Sequence, residues 1–599
     1  MHNLNETGKY PGIAVPIHGR NPNEPNPITA FTSRIIDHSL KKFLTSKEAD
    51  TVINGYRRSP WNEDALNRDL ERLDSTQHKV PKDEHYQAAL AHVHQLIRPT
   101  NRLRPIHFAD LRHYPWRLST NIGAPFNSSG EWRDYVVAKF NFFRLKRPFE
   151  NRAHRDLFTE AHPDSEPLEI RDARMTKHNL YSEAFFITRK NIHLIKLGKT
   201  HTESGHDMRY WNTAFARQHL VEANEPDKVR LVFGAPFTLL CAELMFIWPL
   251  QVHLLLMNGR KSFMLWGYET LIGGWYRLRN FFAKYASRHS TFVTLDWSGF
   301  DRYARHDVIR DIHREILRPC FDFSQGYHPT VNYKVYQNDP DGPTIDEKLE
   351  NLWNWMTDTV LTIPLLLPDG RMIQFRHSGI FSGYFQTQII DSLYNMVMIF
   401  TVLSRMGFDL DTVVIKVQGD DSIFALLCVF ALVANSFLTL FQHYAKYYFG
   451  APVSEKKSEV RDSLEHAEVL RYRNKGGLPY RDELQLLAQL RHPERSTQPE
   501  DVAARCVGIA YAACGQLPRT YQICEDVYNY LTIKKGVTPR QKELDNMFRY
   551  LQEGPSSLKL DAMKFPTFYE TIRRLVDQEQ ELANYHWPTD LFIGLPGRQ

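Results

Sequence analysis

VVIKVQGDDS at residues 413–422 is the stretch that decides the fold. Val413, Ile415 and Val417 alternate along a strand, Gly419 supplies turn freedom, and an apolar run resumes at Ile423. This pattern predicts a hairpin with two carboxylates, Asp420 and Asp421, at its tip. Alone, Gly-Asp-Asp reads equally well as a solvated turn. Outward from it, TFVTL at 291–295 is β-branched and apolar and predicts a second buried strand, which ends in Asp296. WSGF then turns the chain to Asp301, and Val308, Ile309, Ile312 and Ile316 recur at helical spacing.

An Asp at a strand end is held rigidly, as a metal ligand must be. Phosphoryl transfer to a 3′-hydroxyl uses two divalent ions about 3.5–4 Å apart. Magnesium takes one or two protein carboxylates, with phosphate oxygens and water completing its shell. Two strand-borne acidic sites in one sheet meet that demand.

Between them lies RHSGIFSGYFQTQIIDSLYN, residues 376–395. Ser378-Gly379 and Ser382-Gly383 make a small-residue loop where backbone can approach a ligand. A helix follows, with Ile389, Leu393, Met396, Val397 and Phe400 on its apolar stripe. Thr387, Asp391 and Asn395 are spaced by four, so they share another face. In DKVRLVF, Lys228 and Arg230 project to one side of a strand and suit a triphosphate, although scattered surface charge gives the same pattern. Lys457, in SEKKSEV after a helix ending near Tyr448-Phe449-Gly450, reads either as a proton donor to leaving pyrophosphate or as a surface lysine.

The 599 residues exceed one core, so two to four domains are expected. With 42% hydrophobic and 24% charged residues the composition is globular, and the net charge of +5 decides nothing about partners. Six cysteines without a CxxC pair exclude a zinc motif and a disulfide framework, and point to a reducing compartment. The N-terminus has no signal pattern. Ser422–Phe441 is apolar enough to suggest a membrane span, but Asp420 and Asp421 abut it and flanking basic and aromatic anchors are missing. It reads as a buried strand running into a buried helix. Residues 1–30, rich in Pro, Asn and Gly, read as an extended arm, and beyond about 490 the pattern is mostly helical.

These residues occur in the order of the viral RNA-dependent RNA polymerase motifs, which the chain resembles over roughly 217–495. DWSGFD (296–301) resembles motif A, SGYFQT (382–387) motif B, QGDDS (418–422) motif C, KVRLV (228–232) motif F and EKKSEV (455–460) motif D. VLRYR (469–473), GGLPYRD (476–482) and LLAQLRHPER resemble the palm-to-thumb junction, most closely that of partitiviruses of the alphapartitivirus branch.

The resemblance implies an α+β right-hand fold of fingers, palm and thumb, with an antiparallel palm sheet flanked by helices and a helical thumb. The expected division is an N-terminal extension bridging fingers and thumb (1–84), fingers (85–284, with an insertion at 322–377), palm (285–321 and 378–490) and thumb with C-terminal region (491–599). It implies Asp296, Asp420 and Asp421 as ligands of two Mg²⁺ ions, with Mn²⁺ able to substitute, and Lys457 as the catalytic proton donor. Lys228, Arg230, Asp301, Ser382, Gly383, Thr387, Asp391 and Asn395 would meet the incoming NTP. Implied partners are RNA template, nascent RNA and viral capsid protein, with no membrane, and the implied location is inside the virion in the host cytoplasm. Where positive-strand polymerases carry Asn four residues after the motif B threonine, this chain has Asp391, with Asn395 one turn on, so either can complete sugar selection. Phe381 stands where the partitivirus pattern more often has proline. A reverse transcriptase would place an aromatic wall at 301, whereas Asp301 can accept a hydrogen bond from a 2′-hydroxyl.

Overall fold

The computed structural model describes residues 2–15, 22, 24–163, 167–334, 340, 342–548, 559–579 and 586–598. Strand β1 (Leu4–Lys9) precedes helices α1 (Pro27–Phe43), α2 (Ser46–Asn54) and α3 (Glu63–Leu73). Side-chain caps start all three helices: Asn26 accepts from the Ile28 and Thr29 N–H groups, Thr45 and Glu48 form a capping box, and Asn62 accepts from Ala65. Helices α4 (Gly130–Leu145) and α5 (Tyr181–Lys196) lead to β2 (Asn212–Gln218), β3 (Val229–Gly234) and the apolar α6 (Phe237–Leu255). Next come β4 (Thr291–Leu295), β5 (Leu365–Leu366), β6 (Arg371–Phe375), α7 (Thr387–Arg405), β7 (Val414–Gln418), β8 (Asp421–Leu426) and α8 (Phe437–Phe449). Four short strands follow, β9 (Glu459–Arg461), β10 (Glu468–Val469), β11 (Tyr472–Lys475) and β12 (Leu478–Tyr480), and then helices α9 (Glu483–Arg491), α10 (Pro499–Ala512) and α11 (Pro518–Asn529).

The two decisive stretches meet in one antiparallel sheet of order β9-β4-β8-β7. Its register sets Ser422 opposite both Leu295 and Val417. The sheet separates two apolar cores, and successive β8 residues alternate between them. Phe424 and Leu426 join the core that holds α7, whereas Ile423 and Ala425 join the one built from α1, α2 and the C-terminal helices. Burial on both faces explains why the strand reads as a continuous apolar run.

A second sheet, of order β1-β6-β5-β2-β3, carries Arg230. Its outermost strand corrects the expectation of an unpacked arm at 1–30. Leu4–Lys9 pairs antiparallel with Arg371–Phe375, and α1 begins at Pro27, while residues 16–21 and 23 lie outside the described residues. LNETGK offers a single buried apolar side chain, Leu4. Backbone pairing holds the strand instead, with the Asp74 carboxylate accepting from the His2, Asn3 and Leu4 N–H groups.

The 422–441 run departs partly from its reading as well. β8 is buried, but Leu427, Val429 and Leu432 are exposed before α8 begins. Among the described residues the helix long and apolar enough to cross a membrane is α6, and it lies within the core.

Both ends of the chain return to the same lobe. Residues 586–598 pack against α6: the Trp587 and Phe592 rings stack 4.2 Å apart, both edge-on to Trp248, whose indole donates to the His586 carbonyl at 2.9 Å. Burying two such side chains is worth roughly 3–6 kcal/mol. The N-terminal helices tie that lobe to the C-terminal helices, through Ser39 donating to Asp526 at 2.8 Å and Arg519 paired with Glu48 at 2.8 Å.

Candidate active site

Strand β4 ends where Asp296 begins, and the turn at 454–458 fixes that carboxylate's backbone. The Asp296 N–H donates to the Ser458 hydroxyl at 2.9 Å, and its carbonyl accepts from the Ser454 N–H at 2.8 Å. Across the sheet, Gly419 turns at φ 60° and delivers Asp420 to the exposed tip of the β7–β8 hairpin. Although that tip reaches solvent, the recess around it and the charges of Asp301 and Asp296 push the Asp420 carboxyl above its ordinary range. Asp421 is pushed up to about 7 by burial, against the opposing effect of the Leu470 N–H it accepts at 2.8 Å. Leu470 and Arg471, at φ 51° and 68°, form a two-residue turn between β10 and β11 in a conformation that Asn-Gly usually supplies. A strained hairpin is thus tied to the second acid of the pair.

Helix α7 grips the hairpin tip from beneath. Ser392 accepts from the Gly419 N–H at 2.8 Å, and Asn395 Nδ2 donates to the Gly419 carbonyl at 3.0 Å. The other end of the Asn395 amide accepts from the Trp297 indole at 2.9 Å. Both ends of this fully buried side chain are therefore committed to joining the two acidic stretches. Asp391, one turn earlier, differs: its Oδ1 has no hydrogen-bond partner. Burial and the charges of Asp301 and Asp420 hold its carboxyl well above the usual range. The Thr387 hydroxyl donates to the Phe381 carbonyl at 2.6 Å, closing the loop that precedes α7.

That loop is packed rather than free. A Cβ on Gly383 would lie 2.2 Å from the Phe233 carbonyl oxygen at the end of β3, so the close backbone approach requires glycine. Ser382 beside it is exposed. Ser378 is buried, and the Asn3 side chain holds it from both sides, donating to the Ser378 carbonyl at 2.8 Å and accepting from its N–H at 3.1 Å. At the far end, Gln386 donates from its backbone and side chain to Glu243 of α6 and meets His313 at 2.7 Å. Burial pushes the Glu243 carboxyl up to about 8 and the His313 imidazole down to about 4.

Asp301 marks the border between acids and bases. Burial and Asp69 raise its carboxyl while Arg72 and Arg230 act the other way. Lys228, just ahead of β3 and exposed like Arg230, is pulled below its ordinary range by burial and by Arg230, Arg72 and Lys457. The fold therefore brings Lys457, in an exposed turn, within electrostatic reach of Lys228, 229 residues earlier in the chain. Arg72 of α3 and Arg217, opposite Arg230 in the β2–β3 register, belong to the same basic wall. Reading the sequence missed both, since lone arginines carry no motif. It missed Ser392, Asn3 and Glu243 too, of which only Ser392 lies in a quoted motif.

Among the described residues no three His, Cys, Asp or Glu side chains are gathered into a ready-made metal cage. The donor set still suits magnesium, which shares its shell between a few carboxylates and substrate phosphates. Asp296 and Asp420 are crowded carboxylates whose mutual repulsion a divalent cation relieves.

The viral RNA-dependent RNA polymerase family matches residues 175–530. The RNA-directed RNA polymerase of White clover cryptic virus 1 is 35% identical over 586 residues, spanning 94% of this chain and 92% of that protein. The RNA-directed RNA polymerase of Atkinsonella hypoxylon virus is 26% identical over 515 residues, 79% of this chain and 72% of that one. A sicinivirus RNA-dependent RNA polymerase superposes with a TM-score of 0.56 at 12% identity, covering 92% of this chain and 99% of its own, a likeness of fold.

Proposed function

The chain belongs to the viral RNA-dependent RNA polymerases and is an RNA-directed RNA polymerase, and from that premise we propose that it replicates and transcribes the double-stranded RNA genome of a partitivirus by two-metal nucleotidyl transfer. The observation that carries the mechanism is the β4–β8 register, which sets Asp296 beside the Asp420-Asp421 tip, with the basic wall beyond Asp301. The partitivirus reading is supported by the palm-to-thumb motif and by the two viral relatives.

In this reading 285–321 and 378–490 form the palm, and Asp296 and Asp420 hold the ions, Mg²⁺ or in its place Mn²⁺, with Asp421 supporting them. When bound, the ions lower the pKa of the primer 3′-hydroxyl and neutralise charge on the triphosphate. Arg230, Lys228 and Arg72 bind and orient the β- and γ-phosphates, as planar guanidinium groups do best. Asp301 and Asp391 face the ribose: Asp391 has an oxygen free to engage a 2′-hydroxyl, whereas the Asn395 amide is spent on Gly419 and Trp297. Thr387, Ser382 and Gly383 shape the loop against the sugar and base. The Lys457 ammonium gives its proton to the departing pyrophosphate oxygen. The enzyme works inside the virion in the host cytoplasm, against capsid protein, a reading that rests on family resemblance.

The test is incorporation of labelled UTP on an RNA template with Mg²⁺ by the native chain and by Asp420→Ala. Activity in the first and loss of at least a hundredfold in the second is expected. Equal activity in both would remove Asp420 from the metal site.

A further inference from the structure

Helices α4 and α5 and the loop before β2 enclose a cleft of about 580 Å³, whose lining includes none of the paired acids or basic-wall residues. That volume falls within the range of small-ligand sites, roughly 300–1,000 Å³. Its walls are aromatic. Trp132 of α4 stands on one side, steadied edge-on by Phe126 and Tyr135 at 4.8 and 5.7 Å. Tyr210 and Trp211 stand together on the loop. Tyr210 is held at φ 50°, unfavourable for a bulky residue, and its hydroxyl accepts from the buried Asn191 at 3.1 Å. The Trp211 indole N–H is shielded from solvent and finds no acceptor in the protein. Lys190, His206 and Glu203, all exposed, also border the cleft, as does Asp207, which is paired with Arg209 at 2.8 Å.

Flat aromatic walls, an unanswered buried donor and a lysine at the rim are complementary to a planar heterocycle with acceptor edges, attached to a phosphate. We propose that this cleft takes an unpaired base of an RNA strand, stacked against Trp132 and the Tyr210-Trp211 pair, with its phosphate toward Lys190 and His206. Single-stranded RNA is recognised in this way, by splayed bases stacked on aromatic side chains. Asn212, next to Trp211, donates its side-chain N–H to the Tyr384 hydroxyl at 2.8 Å, which ties the cleft's wall to the loop before α7.

The experiment pairs a map with an affinity, using the full chain and a short single-stranded RNA carrying 4-thiouridine. Cross-linked peptides from 125–134 or 187–211 are expected in the native chain, beyond any from the catalytic channel. Trp132→Ala should weaken binding about tenfold while Trp132→Tyr restores it, because stacking needs a ring. Lys190→Glu changes an exposed side chain and serves if Trp132→Ala fails to fold, with a loss of affinity again expected. Support requires both cross-links and weaker binding. Cross-links with unchanged affinity, weaker binding without cross-links in these segments, or neither, would each overturn the proposal, the last leaving the cleft to a peptide.

Discussion

At the scale of single residues, two neighbours on α7 have opposite fates although four-residue spacing makes them look alike. Asn395 is consumed as a brace and Asp391 is left with an open oxygen. Asp391→Ala should therefore lower the preference for UTP over dUTP by about tenfold, roughly the net worth of one hydrogen bond. Asn395→Ala should leave that preference unchanged and lower kcat by loosening the Gly419 turn. Ratios of kcat/KM for the two nucleotides separate the outcomes. A second residue-scale prediction concerns Glu243, whose folded pKa near 8 lies above its unfolded value near 4.5. For an acid raised in this way, the native state keeps a proton that the unfolded chain releases. Stability is thus greatest below about pH 4.5 and falls as pH rises through 8. Glu243→Gln removes that slope, so its melting temperature should match the native chain at pH 5 and exceed it progressively toward pH 8.5. Asp296 and Asp420 were legible in the sequence because each ends an apolar strand. Glu243 was not, since it sits in a largely apolar helix 143 residues from the Gln386 it holds.

At the scale of elements, the sequence announced the strands that the fold buries on both faces and concealed those that backbone pairing alone secures. β4 and β7 are dense in β-branched residues and β8 is apolar from Ile423 to Leu426, whereas β1 is legible only once Asp74 and β6 are known to receive it. The turn at Leu470-Arg471 was equally hidden, because neither residue is one that such a turn selects. Arg471→Gly should relieve its strain and raise stability by about 1 kcal/mol in urea titration. Gly383→Ala is expected to act the other way. Its methyl group meets a backbone carbonyl that cannot move without β3, so nucleotide incorporation should fall at least a hundredfold while the melting temperature drops little.

At the scale of the whole molecule, the hand is closed by contacts between distant parts of the sequence. Arg217 of β2 makes a two-point pair with Glu494 after α9, at 3.1 Å on each arm, and Arg58 donates to the His492 carbonyl at 2.7 Å. No local pattern foretells a partner 277 residues away, so closure lay beyond reach of the sequence while the catalytic centre did not. The Arg217–Glu494 pair is half exposed, which limits its worth to about 1 kcal/mol or less. Glu494→Gln should accordingly shift stability little yet shorten the RNA made per binding event, as read in an extension assay with a trap for free enzyme. The two ends of the chain carry the remaining lesson. One apolar core contains Leu4, Trp587 and Phe592 together, so during synthesis it lacks a wall until residues 587–592 have been made. A ribosome that has not yet reached Trp587 therefore holds both acidic strands fully spelled out but poorly supported, and the chain's competence to copy RNA waits on a segment more than 160 residues downstream of Asp421.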